Sequence, residues 1–263
     1  MKASSSSRKM LTTIAALLFW LALWQAAYLV VDRPFLLTSP WQTLLRMVRF
    51  LGEPVFWRSI SMTGYRVLGG FAWGMLAGGA LAFLSAGRPI VKTLLAPPLG
   101  AVRAAPVVSF IMLALMWMTS HVLPMFIAFI MVLPLAYSNM LSGLENLDGQ
   151  LLEMARLFRF SRRRVLRLIY IPMLMPYITA ACATGLGFAW KSAIAAEVIG
   201  HPAVSVGVRI HRARIYFEVA DLFAWTVAVI IISVALEKSA LWALGRMERR
   251  LLRLSVKGGG AGG

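Results

Sequence analysis

Met173-Leu-Met-Pro-Tyr-Ile-Thr-Ala-Ala-Cys-Ala-Thr-Gly-Leu-Gly-Phe-Ala-Trp-Lys-Ser-Ala-Ile-Ala-Ala-Glu-Val-Ile199 runs for 27 residues with two charges, Lys191 and Glu197. As a helix it is about 40 Å long, more than the ~30 Å hydrocarbon core of a bilayer. Five more apolar runs surround it in the sequence: Leu11–Val31, about Val67–Ala86, Leu99–Met118, Val122–Leu144 and Leu222–Gly245. Each is close to the ~20 residues that a crossing helix needs. Glu237 and Lys238 interrupt the last, where about sixteen residues from Leu222 still give roughly 24 Å of helix and the charges can snorkel to the interface. The expected fold class is therefore all-α, a polytopic transmembrane helical protein of six spans.

Composition agrees. The chain of 263 residues is 60% hydrophobic and 14% charged, with a mean hydropathy of +0.76, against about 45–50% and about 25% in soluble domains. The first run is too long for the apolar region of a signal peptide, about 7–15 residues, and is expected to remain as a span. Within the quoted stretch, Gly185-Leu-Gly-Phe-Ala-Trp-Lys-Ser192 is the nearest approach to a Walker A loop, but Trp190 stands where the loop needs its second glycine. No nucleotide is expected to bind this chain. Cys182 is the sole cysteine, so no intrachain disulfide or cysteine zinc cluster can form. His121, His201 and His211 lack ligand spacing, and no Ser, His and Asp set or paired carboxylates suit hydrolysis. No cofactor, no metal and no enzyme activity are expected.

The net charge of +17 has a topological explanation. Lys2, Arg8, Lys9, Arg88, Lys92, the six arginines from Arg156 to Arg167, and Arg246, Arg249, Arg250, Arg253 and Lys257 all fall on one face, sixteen of 27 basic residues. Arg33, Arg46, Arg49, Arg58, Arg209, Arg212 and Arg214 fall on the other. The richer face is expected to be cytoplasmic, which puts both termini inside and leaves nucleic acid without support as a partner, while anionic membrane lipid remains one. On the outer side, Ser39 and Pro40 are suited to cap and begin a short amphipathic helix lying along the membrane surface. Gly70, Gly74, Gly78 and Ala82 make a flat stripe for close helix packing, expected within one subunit. Arg209, Arg212 and Arg214 stand against the charge trend, for contact with an acidic partner, for steering an anion, or as solvated charges offset by Glu218 and Asp221. Residues 1–10 are expected to be a cytoplasmic tail, 11–252 one transmembrane domain and 253–263 a flexible tail.

The connection between spans four and five, 145–172, is too regular for a linker. Apolar Leu147, Leu151, Leu152, Met154, Ala155 and Phe158 have the spacing of one amphipathic helix. Ser161 then caps a second, Arg162 to Ile171, before Pro172 and Pro176. In order and spacing this loop resembles the permease subunits of binding-protein-dependent ABC importers, with their Glu-Ala-Ala, three residues, Gly, nine residues, Ile, one residue, Leu-Pro. Here stand Glu153-Met154-Ala155, Arg159, Ile169 and Ile171-Pro172. Glycine in place of Arg159 would permit a left-handed turn, so with Arg159 the turn is expected to be made some other way.

The resemblance extends from Leu11 to Leu252. Leu99-Gly-Ala-Val-Arg103-Ala-Ala-Pro106, Ala114-Leu-Met-Trp117, Pro134 with Asn139 and Gly143, Ala189-Trp190, Ala196-Glu197 and Gly207 are similar to the nitrate, sulfonate and taurine subgroup. The resemblance implies type I importer architecture in a bacterial inner membrane, with a second copy of the chain, cytoplasmic ABC ATPase subunits and an extracytoplasmic solute-binding protein as partners. It implies that Leu151, Glu153, Met154, Ala155, Phe158, Arg159, Ser161, Ile169 and Pro172 form the ATPase-docking loop, with Leu151, Met154, Ala155 and Phe158 as its apolar face. Arg103, Pro106, Asn139, Trp190, Lys191 and Glu197 are the candidates for the solute pathway or its gate. Charges within spans normally face a cavity or a partner: Glu197 and Arg103 are assigned to holding broken helices or the dimer contact, and Lys191 to the path of an anion. A secondary transporter or small channel without ATPase subunits is the alternative, which would call for an internal repeat or a chain of acidic residues along the spans.

Overall fold

A computed structural model describes residues 3–33 and 35–259, and every element in it is helical: α1 (Ala3–Val31), α2 (Pro40–Leu51), α3 (Pro54–Ser85), α4 (Pro89–Ala104), α5 (Val107–Ala114), α6 (Leu123–Glu145), α7 (Gly149–Leu157), α8 (Arg162–Val165), α9 (Ile171–Gly200), α10 (Val206–Ile215) and α11 (Val219–Gly259). Five of these are long and apolar enough to cross a membrane, and α4 with α5 makes a sixth span if the bent pair is counted as one. The backbone of 3–10 is continuous with the first span, and that of 253–259, expected to be a flexible tail, continues α11 as helix. Lys2 and 260–263 lie outside the described residues.

The centre of the molecule is α6, packed between α3 and α9. Close approach comes from the small-residue stripe: a Cβ on Gly74 would stand 2.7 Å from Val132 Cβ and 3.0 Å from the Phe129 carbonyl, and one on Gly78 2.7 Å from Ala136 Cβ. Val67, Ala128, Val132, Ala136, Ala189 and Ala193 form the buried core between the three helices. Where neither neighbour can gain by the hydrophobic effect in lipid, such backbone-to-side-chain contact supplies the van der Waals energy of association. Cys182 is buried as a small packing residue.

The third span is not the continuous helix Leu99–Met118 expected from its hydropathy. It breaks between α4 and α5 with a bend of 102°. Pro106 has no N–H and drives the residue before it out of helical conformation, so Ala105 takes φ −78° and ψ 142°.

At one end of the bundle lie α2 and α10. Ser39 Oγ accepts from the Gln42 N–H at 3.1 Å while Gln42 Oε1 accepts from the Ser39 N–H at 3.3 Å, a reciprocal cap that starts α2 with Pro40 in its first turn. Phe50, Phe56 and Trp225, with ring centroids 5.0–5.8 Å apart, fasten α2 to α3 and α11. Arg46 adds an ion pair with Asp221, its Nη2 donating to Oδ2 at 2.8 Å, and this hydrogen bond pushes the guanidinium pKa up. At the opposite end stand α7 and α8. From α8 the chain winds through one wider turn, Leu166–Tyr170, in which Ile171 N–H bonds five residues back to Leu166, directly into α9. That wider turn lies immediately before Pro172, so the proline does not separate the second loop helix from the fifth span, as the sequence suggested; Arg162–Gly200 is one path of 39 residues.

Candidate functional site

Three groupings of functional side chains emerge, and the first gathers around Glu197. It is fully buried and accepts from three donors: the Thr63 hydroxyl, shared between both oxygens at 3.0 and 2.9 Å, Arg66 Nη1 at 2.9 Å and the Gly207 N–H at 3.1 Å. Arg66, 3% exposed, donates also to the Val204 carbonyl at 3.0 Å, and Thr63 Oγ1 accepts from the Val206 N–H at 3.0 Å. The carboxylate thus ties α3, α9 and the start of α10 together, satisfying charge and backbone donors at once. Gly207 stands directly against Glu197, with no room for a side chain of its own. Sequence reasoning missed Arg66 and Thr63. Their one signal was a lone arginine inside a span, which needs a partner.

Arg103 and Lys191 come together in the second grouping. A cavity of about 400 Å³ is lined by Arg103 and Ala105 from the broken span, by Val107 at the start of α5, by Pro134 and Leu135 of α6, and by Phe188, Lys191 and Ser192 of α9. Arg103 Nη2 donates to the Pro134 carbonyl at 2.7 Å, so its guanidinium is held across the face of α6. Neither cation has a carboxylate among the described ion pairs. Pro106 contributes by making the break that exposes the cavity to α5. Asn139 spends its amide on the Leu135 carbonyl at 2.9 Å and is absent from the lining. Trp190 is buried in the core between α3, α6 and α9, its indole N–H without a hydrogen-bond partner.

The third grouping is the helical hairpin. Asp148 caps α7 by accepting from the Gln150 N–H at 2.8 Å, and Ser161 caps α8. Between them Arg159 does make the left-handed turn, with φ 52°. The Phe160 N–H bonds to the Ala155 carbonyl at 2.9 Å and the Arg159 N–H to that of Arg156 at 3.0 Å, which is the Schellman closure of a helix. The expectation that arginine would force a different turn is therefore corrected: two backbone bonds hold a conformation that its Cβ disfavours by about 1–2 kcal/mol. A second correction concerns Ala155. It is 2% exposed, turned inward, and borders a hollow of about 560 Å³ shared with Val165, Leu166 and Tyr170. The outward apolar face is instead Leu151, Met154, Leu157 and Phe158, the last two 82% and 70% exposed. Glu153, Arg159 and Ser161 are exposed, Ile169 is buried and Pro172 half-buried.

On α10, at the opposite end, Arg212 and Arg214 are exposed and Arg209 half-buried, the last with its pKa lowered by burial and by Arg212. Asp221 does not offset them as expected, because Arg46 holds it. The rings of His201 and His211 meet edge to face at 4.0 Å. Among the described residues no group of three His, Cys, Asp or Glu is placed to hold a metal.

Several long apolar helices, one of them broken beside a cationic cavity, and a helical hairpin with an exposed apolar face at one end define a multi-pass membrane protein of transport. The chain belongs to the family described as the binding-protein-dependent transport system inner membrane component, whose profile matches residues 70–253. It is 28% identical to the riboflavin transport system permease protein of Chloroflexus aurantiacus over 90% of this chain and 87% of that one. Similarity to the taurine transport system permease protein of Escherichia coli is 25% identity over 93% and 90% of the two chains. With the bicarbonate transport system permease protein of Synechococcus elongatus it is 23% over 77% and 72%.

Proposed function

We propose that this chain is the permease subunit of an ATP-driven importer, working as a pair of copies in a bacterial inner membrane, with the α7–α8 hairpin seated in a cytoplasmic ABC ATPase. A solute-binding protein docks at the α2 and α10 end. The carrying observation is the exposed face of Leu151, Met154, Leu157 and Phe158 on a hairpin whose inward side is taken by Ala155. Apolar side chains of that size held out in water beside arginines have the composition of an interface centre and its rim. The uninterrupted path from the hairpin through the wider turn into α9 supports the same reading, because a displacement of the hairpin is transmitted to the helix that carries Lys191 and Glu197. Both termini lie in the cytoplasm on this reading, since the hairpin arginines follow the positive-inside rule. The solute is a small molecule released by the binding protein. Relatives named for riboflavin, taurine and bicarbonate keep one architecture across different cargo, which leaves selection chiefly to that partner.

Leu157→Asp with Phe158→Asp is the test. With the permease and its ABC ATPase coexpressed, the double variant loses copurification of the ATPase while its thermal midpoint in detergent stays at the wild-type value, because neither side chain is buried. Undiminished copurification refutes the docking assignment. Ala155→Asp is unsuited to this purpose, since its buried carboxylate would unfold the hairpin whether or not anything docks there.

A further inference from the structure

We infer that the Arg103–Lys191 cavity is a binding site for a small soluble anion, of the size of a sulfonate, carboxylate or bicarbonate, in transit through the membrane. The inference rests on the reading of this chain as a solute pathway and adds the charge class of what passes.

Four observations converge. First, two cations from separate elements, the end of α4 and the middle of α9, line one space of about 400 Å³ that contains no Asp or Glu. Second, both are more than a third exposed in the single chain, unlike Arg66, which is buried on a carboxylate. Third, Arg103 is at mid-depth. Its anchor, Pro134, lies halfway along α6, about 17 Å from either helix end, where an unpaired guanidinium is costly unless it faces water or a counter-charge. Fourth, α5 begins at the cavity: Val107 lines it, and no side chain caps the first turn. The free N–H groups of a helix start, placed in a broken span, favour negative charge.

The single hydrogen bond from Arg103 Nη2 to Pro134 holds the guanidinium in place and leaves its other N–H groups available for a planar or tetrahedral oxyanion. Lys191 adds a mobile point charge from the facing helix. Ser192 donates its one hydroxyl proton to the Ala189 carbonyl at 3.2 Å and so has none left for the anion. The remaining wall is apolar, from Val102, Met131, Leu135 and Phe188, so nothing in it competes for the anion, and a carbon chain attached to the anionic group would be tolerated.

Cavity potential can be read without knowing the cargo. The permease with Cys182→Ala and Phe188→Cys, placed in phosphatidylcholine nanodiscs, is reacted with two methanethiosulfonates, one bearing a sulfonate and the other a trimethylammonium group. The reagents differ by two unit charges, so a local potential of slightly more than one kT gives the anionic reagent about a tenfold advantage. That advantage is expected here, after correction for the reagents' rates with a free thiol. It is expected to fall severalfold in Lys191→Met and to return in Lys191→Arg. Methanesulfonate is expected to slow the anionic reagent, and dimethyl sulfone, its neutral counterpart in size, to leave it unchanged. Equal rates, or preference for the cation, overturn the anion site alone and leave the pathway standing. Failure of both reagents to react overturns the pathway reading at this cavity and the site with it. Loss of reaction only when phosphatidylglycerol is added assigns the two cations to lipid headgroups and likewise overturns the site. Helical circular dichroism and elution volume of each variant separate a loss of charge from a loss of fold.

Discussion

Replacing Glu197 by alanine tests whether the buried carboxylate is the fastener that joins α10 to the bundle. In the native protein it accepts hydrogen bonds from three donors, Thr63, Arg66 and Gly207. Without it, Arg66 keeps only the Val204 carbonyl while remaining 3% exposed. Removing one member of a buried ion pair costs about 3–5 kcal/mol, chiefly because the other charge is stranded. The orphaned Gly207 N–H would cost about 1–3 kcal/mol alone, and since relaxation of one group relieves the other the two do not add. The expected loss is therefore about 3–5 kcal/mol, measured by titrating detergent-solubilised protein with dodecyl sulfate and following tryptophan fluorescence. The Gly207 amide itself is expected to exchange with deuterium faster than amides in α6. In Arg66→Met, Glu197→Ala the charge is no longer stranded, so the double loss is smaller than the sum of the Arg66→Met and Glu197→Ala losses by about 0.5–3 kcal/mol. A single Glu197→Ala variant within about 0.5 kcal/mol of wild type, or strictly additive single and double losses, would refute the fastener.

Two further outcomes follow from close packing and from backbone conformation. Gly74→Leu forces α3 away from Val132 and is expected to cost at least about 1–3 kcal/mol, whereas Gly64→Ala, inside the same helix with nothing within 4 Å, is expected not to lower the midpoint; equal losses would dismiss the close seam. Arg159→Gly removes the Cβ from a left-handed position and is expected to slow hydrogen exchange at Phe160 about two- to fivefold, the equivalent of about 0.4–1 kcal/mol; faster exchange there would show that the arginine side chain, rather than the two backbone bonds, holds the turn.

Much of the architecture was legible because hydropathy is a local property. The spans, the start of α2 at Ser39 and Pro40, and the glycine stripe all depend on residues within a few positions of one another. The break in the third span was written in Ala104-Ala105-Pro106, but a window of twenty residues registers composition and is blind to what one proline does to φ and ψ. The pairing of Arg66 with Glu197 was beyond reach for a different reason: the two are 131 positions apart, and no periodicity links a residue to a partner on another helix. Amphipathic spacing found α7 but misassigned Ala155, since a short helix with two apolar contacts, one to its own hairpin and one outward, gives a single broad stripe. A non-glycine residue at φ 52° is uncommon enough that Arg159 was expected to avoid it.

The broken span bears on how the chain enters a membrane. Its segments of 16 and 8 residues give about 24 and 12 Å of helix, neither of which reaches across ~30 Å of hydrocarbon. Leaving the translocon alone, they would carry into lipid the open amides and carbonyls around Ala105, groups that hydrocarbon cannot solvate. The guanidinium of Arg103 finds its carbonyl only on Pro134, in a helix synthesised later. Stable integration of this segment is therefore expected to wait for α6, the helix that supplies that carbonyl and packs against both α4 and α5.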